Sequence, residues 1–246
     1  MAASKSRVIS LAGAGAADAG TDTLSLGPSM SSATRVFREL RSRMVALKLP
    51  PGTILHRAEL AEAFGVSQSP IREAILRLEE IGLVISYPQS RTEVTHINPA
   101  RLEQEHVLRT ALECEIVDQL CRKAGAADLT KAQGYLKMQK ALVDDPDQIE
   151  LFRELDEKFH HALFVAAGQA ALHAHVTERS SHMARLRTLD LPRNRKLQSV
   201  IEGHGKVMER IEAGDRHAAV DAMRDHLSGT IGRLPEIMEA NRAYFA

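Results

Sequence analysis

The sequence predicts a mainly α-helical chain: a small N-terminal domain of helices with one β-ribbon, then an antiparallel all-helical bundle. Three observations predict it. Apolar residues recur at three-to-four spacing, as in Ile71, Ala74, Ile75 and Leu78, which is the period of a helix buried on one face. A ribbon-like pattern is confined to Leu83–Tyr87 and Thr92–Ile97. Beyond Pro99 long amphipathic segments with short connections take over, which implies a bundle rather than a sheet.

The chain of 246 residues has room for a modest first domain and a larger second one. With 44% hydrophobic and 26% charged residues it reads as a soluble globular protein. Its 32 basic and 32 acidic side chains cancel, which excludes a basic nucleic-acid sponge and makes any DNA contact local. Cys114 and Cys121 read as reduced, partly buried residues of a cytoplasmic protein, with no disulfide framework. No apolar stretch is long enough to span a bilayer, so no membrane partner is expected. Residues 1–30, rich in Gly, Ala and Ser, read as a flexible tail without the apolar core of a secretory signal. The expected division is 31–98 for the first domain, 99–234 for the bundle and 235–246 for a last helix or tail.

Within the first domain, Val36, Leu40 and Met44 mark one stripe of a helix over about Ala33–Leu47, which the LPPGT stretch then stops. A second helix starts near His56 or Arg57, carries Leu60, Ala61 and Phe64 inward, and ends at Gly65. Ser67 is placed to cap the third helix, and Pro70 falls in its first turn, where donors lack helical acceptors anyway. Periodicity alone fits an ordinary helical hairpin. The glycine turn, the cap and the two-stranded ribbon that follows favour a helix-turn-helix, whose second helix leads into a major groove with its N-terminal residues. Arg72 is then the principal candidate for DNA contact, with Gln68, Ser67 and Ser69 beside it.

In the bundle, a first helix carries Leu102, Val107, Leu108, Leu112, Ile116 and Leu120, and Asp128 caps a second. Asp145 and Pro146 suit the start of a third. Further helical patterns cover Gln169–Leu189, Arg195–Ala213 and Asp215–Arg233. Asp156 and His160 stand four apart and so share a face. His204 and His226 fall on the apolar faces of two later helices. One such histidine reads as a hydrogen-bonded core residue; three with an aspartate on facing helices read as a set of metal ligands. His161, His173 and His175 read as helix-surface residues.

The stretch LAEAFGVSQSPIREAILRLEEIGLV, Leu60–Val84, resembles the winged helix-turn-helix of the GntR superfamily of bacterial transcription regulators. Residues from about His106 to Leu227 resemble the FCD effector domain of its FadR branch, on RTALE (Arg109–Glu113), DEKFH (Asp156–His160), EGHGKVMERIEAGD (Glu202–Asp215) and His226. The resemblance implies a homodimer binding double-stranded operator DNA, most often as a repressor, and releasing it when a small organic or sugar acid binds. It also implies a divalent metal held by Asp156, His160, His204 and His226, zinc foremost, with nickel or manganese as alternatives. An effector carboxylate would meet that metal and be clamped by Arg109, with Arg187, Arg185 and His182 as further candidates. Two departures stand out. Gln68 occupies a place often held by arginine in relatives, and Ser90-Arg91 replaces a glycine-bearing wing turn, from which Arg91 still reaches toward DNA. Other readings are a regulator with the ion as its signal and a metal-dependent hydrolase, the latter without an obvious additional general base.

Overall fold

The computed structural model describes residues 30–88, 90–123, 125, 127–192 and 196–246. The expected N-terminal tail lies almost wholly outside the described residues, as does the expected start of a helix at Arg195. Two compact units emerge, one built from residues up to 43 and 52–95, the other from 44–51 and 96–246.

The first unit holds α1 (Ser32–Val45) as far as Arg43, then β1 (Ile54–Leu55), α2 (Arg57–Phe64), α3 (Gln68–Glu80), β2 (Val84–Ser86) and β3 (Thr92–Val94). Val36, Phe37 and Leu40 of α1, Leu60 of α2 and Ile71, Ala74, Ile75 and Leu78 of α3 are all buried. Burying each such side chain contributes about 1.5–3 kcal/mol, which no single helix this short could secure alone. Gly65 ends α2 with φ 62°, and its N–H and that of Val66 reach back to the Glu62 and Ala61 carbonyls. This left-handed cap lets the chain reverse into α3 at no side-chain cost. Ser67 holds the extended cap position of α3, but its hydroxyl makes no capping bond, contrary to expectation. Arg77 is used internally: its guanidinium lies 4.1 Å over the Phe37 ring and donates to Thr34 Oγ1.

The ribbon has three strands, not two. β3 pairs antiparallel with β2 on one side and with β1 on the other, with Ile54 opposite Glu93 and Ile85 opposite the same residue. β1 is only two residues long, too short for alternation to reveal it.

The second unit holds α4 (Pro99–Arg122), α5 (Thr130–Ala141), α6 (Ile149–Ala167), α7 (Ala170–Arg179), α8 (Ser181–Asp190), α9 (Lys196–Glu212), α10 (Arg216–Ile231) and α11 (Leu234–Ala240). Helix α10 packs on α4 and α9, and α5 on α6. Phe152, Phe159, Leu163, Val207, Met208 and Met223 are among the residues of the main core. A smaller core joins Ile97, Leu102, Met183, Leu186 and Ile237. Asp145 accepts the Asp147 N–H, but Pro146 opens a 3₁₀ turn ahead of α6 rather than α6 itself. Asp128 accepts from Thr130 at the start of α5.

The pattern expected as one helix from Gln169 is split at Ser180 into α7 and α8. The Glu105 carboxylate of α4 accepts the N–H groups of Met183 (2.7 Å) and His182 (3.3 Å). It thus satisfies donors that a new helix start leaves without acceptors. Helix α4 also differs from expectation. Val107, read as inward, is 61% exposed, while Glu105, Arg109 and Glu113 are buried. Apolar periodicity misplaced the inner face there because that face is partly lined with charge. Cys114 and Cys121 are both free and buried.

Candidate functional site

Three helices bring four donors together. Asp156 and His160 stand one turn apart on α6, His204 projects from α9 and His226 from α10. One ligand atom from each lies within 4.8 Å of the others. The His160 Nε2 atom is 3.4 Å from His204 Nε2 and 3.3 Å from His226 Nε2, and Asp156 Oδ1 is 3.4 Å from His204 Nε2. Close approach of α9 and α10 depends on Gly203, where a Cβ would stand 2.5 Å from His226 Nδ1.

The outer nitrogens orient the rings. His160 Nδ1 donates to Glu113 Oε2 at 2.5 Å, and His204 Nδ1 donates to Gln139 Oε1 at 2.9 Å. In neutral rings those bonds leave both Nε2 atoms as acceptors, facing one another with no proton between them. Burial, reinforced by His226 and His160, drives His204 well below the usual imidazole range. Burial, with His160, pushes His226 down to about 3. Facing lone pairs in a buried site repel, and a cation relieves that repulsion. An ion about 2.1 Å from two imidazole nitrogens holds them roughly 3.0–3.4 Å apart for right-angled to tetrahedral bonds, which matches this spacing. The donor set therefore fits a divalent transition metal.

Charge around the site is closely paired. Glu113 accepts from Arg109 Nε as well as from His160. Although burial opposes its charge, Arg109 and His160 hold its carboxyl well below the usual range. Asp156 is likewise lowered against burial, by Arg187, His160 and Arg109. Arg187 reaches Asp156 Oδ2 and, at 2.8 Å, Glu157 Oε1.

A cavity opens beside these groups, lined by Arg109, Asp156, His160, Arg187, Lys196 and His226 among others. Of the four side chains expected to meet an effector, Arg109 and Arg187 line it. His182 and Arg185 do not. His182 Nδ1 accepts the Asn98 N–H at 3.1 Å, and Arg185 Nη2 lies 3.1 Å from the same nitrogen. Their burial at the start of α8 suits a structural role. His161 and His175 are exposed, whereas His173 is half-buried against Phe164, where burial lowers it to about 4.

In the first unit, Ser67, Gln68, Ser69 and Arg72 are all exposed on the N-terminal part of α3, opposite its buried stripe. Arg91 is spent within the wing: its guanidinium lies 4.4 Å over the Tyr87 ring and Nε donates to Glu93 at 2.8 Å. The turn itself is closed by Tyr87 N–H to Arg91 O and Ser90 N–H to Tyr87 O.

Sequence reasoning missed four residues of the site. Glu113 follows Arg109 by four positions, a same-face signal that could have found it. Gly203 directly precedes His204 but has no signature of its own, and Gln139 and Lys196 are identified only by packing. Gly203→Ala is expected to displace His226 and weaken metal binding at least about tenfold, as loss of a well-placed ligand or its support does. Metal titration checks this, with circular dichroism establishing that the helices persist.

Known proteins place this geometry in context. The model for bacterial regulatory proteins of the gntR family matches residues 32–94, and that for the FCD domain matches residues 106–229. An HTH-type transcriptional regulator in an unstable DNA locus of Streptomyces ambofaciens is 30% identical over 211 residues, 86% of this chain and 88% of that protein. The HTH-type transcriptional repressor RspR of Escherichia coli K12 is 26% identical, over 90% of this chain and 96% of its own length. Among solved structures, E. coli McbR/YncC shares the fold with a TM-score of 0.71 at 21% identity, covering 84% of this chain and 98% of that one.

Proposed function

Because the chain belongs to the GntR family of bacterial regulatory proteins and carries an FCD domain, it is a DNA-binding transcription regulator, and we propose that it is a repressor controlled by a small acid bound at a divalent metal. One observation carries the finer reading. Asp156, His160 and His226 line a cavity together with Arg109 and Arg187, so metal ligands and anion-binding guanidinium groups face the same space. Asp156, His160, His204 and His226 would hold the metal, which in this setting supplies an open position for a carboxylate or hydroxyl oxygen. Zinc suits three imidazoles and one carboxylate, and nickel or manganese would add further open positions.

The rest is done by this chain's own groups. Glu113 and Gln139 fix the rings so that Nε2 points inward. Arg109 and Arg187 present planar donor forks to a carboxylate. Ser67, Gln68, Ser69 and Arg72 are the exposed face offered to operator DNA, and the self-paired Arg91 contributes less than they do. A homodimer would place two such faces on an inverted repeat. Effector binding lowers operator affinity only through a difference in affinity for two arrangements of the protein.

The test is an operator titration. Arg72→Ala is expected to weaken specific DNA binding by about 1–3 kcal/mol, with metal content unchanged. His226→Ala is expected to leave DNA binding in place and abolish its response to carboxylates. A DNA response to metal alone, with no acid added, would instead favour the ion as the signal. An operator affinity indifferent to both metal and acids would refute the proposal.

A further inference from the structure

Lys196 is a buried cation for which the pairing at the metal leaves no role. It opens α9, is 8% exposed, and lines the cavity with Arg109, Arg187 and His226. Its nearest acid is Asp190, itself fully buried at the end of α8. That carboxylate is already served. It accepts from Thr230 Oγ1 at 3.0 Å and from Arg233 through Nε at 3.2 Å and Nη2 at 2.5 Å. Lys196 Nζ stands off at 3.4 Å, longer than a good charge-assisted bond.

The contrast with the arginines is informative. Arg109 is matched by Glu113, and Arg187 by Asp156 and Glu157. Among the described residues, Asp190 is shared between two cations, Arg233 and Lys196. A lysine ammonium carries three donors, and a buried one left in surplus costs stability unless an anion completes its pairing. The cavity wall therefore has a third cationic side chain, on α9 rather than on the helix of Asp156 and His160.

We propose that Lys196 is a specificity-determining residue that selects effectors with two anionic groups, one directed to the metal and Arg109, the other to Lys196. This rests on the reading of the cavity as an acid-binding effector site. The shared chemistry is a short dianion, whether its second group is a carboxylate or a phosphate. A monocarboxylate of equal length leaves the ammonium with the shared Asp190 alone, so it binds less tightly.

Calorimetric titration of the zinc-loaded full chain tests this with malonate, succinate and glutarate against propionate, butyrate and valerate. Glycolate against phosphoglycolate forms the phosphate arm. The expected result is a preference of at least about tenfold for one dianion over its monoanionic counterpart, the scale of one charge-assisted hydrogen bond. Lys196→Met, which keeps the apolar stem, is expected to abolish that preference by weakening the dianion alone, and Lys196→Arg to retain most of it. Zinc stoichiometry in each variant reports that the bundle is intact. Equal preference ratios in wild type and Lys196→Met, or no preference in the wild type while monoanions bind, overturn the role of Lys196 and leave the acid-binding site standing. If no acid of either class binds, both readings fall together.

Discussion

Arg109→Leu is expected to destabilise the protein by about 3–5 kcal/mol, the cost of stranding one member of a buried ion pair. Arg109 and Glu113 have side chains 8% and 2% exposed, and the guanidinium Nε donates to Glu113 at 2.5 Å. Remove the guanidinium and the Glu113 carboxylate, whose side chain is 2% exposed, loses its arginine partner and keeps the hydrogen bond from His160 Nδ1. The loss should appear as a lower denaturant midpoint at neutral pH. Adding Glu113→Gln to Arg109→Leu should recover a large part of it, because the stranded charge goes with it. A single variant as stable as the wild type would show that the pair is not buried as described.

His204→Phe is expected to reduce metal content from about one ion per chain to under about a tenth of that, since the four-residue ligand set loses both a donor and its geometry. Phenylalanine preserves the ring that stacks on Phe159 at 3.8 Å, so the change removes a ligand rather than packing. The same ion should stabilise the wild type by roughly 2.7 kcal/mol at a hundredfold excess over its Kd, and this increment should vanish in the variant. Elemental analysis together with melting curves at graded zinc decides the matter. Equal metal content in both proteins would sink the ligand assignment.

The helix-turn-helix was legible because its signals are local. A glycine at the turn and an apolar stripe at Ile71, Ala74, Ile75 and Leu78 each act within a few residues. The convergence of Asp156, His160, His204 and His226 was legible for a different reason: histidines and an aspartate on apolar helix faces are chemically out of place unless they come together. What remained hidden depends on packing between distant segments. β1 exists only by pairing with β3, and the break at Ser180 is stabilised by Glu105, about 75 residues earlier in the chain. The buried charges of α4 defeated a reading in which inward means apolar. Asp190, which explains Lys196, looks in the sequence like any helix-end aspartate.

Glu113 divides its two oxygens between Arg109 and His160, and so between the group that would grip an acid and a ligand that would grip the ion. If an effector draws Arg109 toward itself, Glu113 is left to favour the His160 ring more strongly, and the imidazole becomes a better donor. Linkage then requires reciprocity: by whatever factor the acid tightens the ion, the ion tightens the acid. A cell short of metal would read as a cell short of effector, and one carboxylate would make two chemical signals act as one.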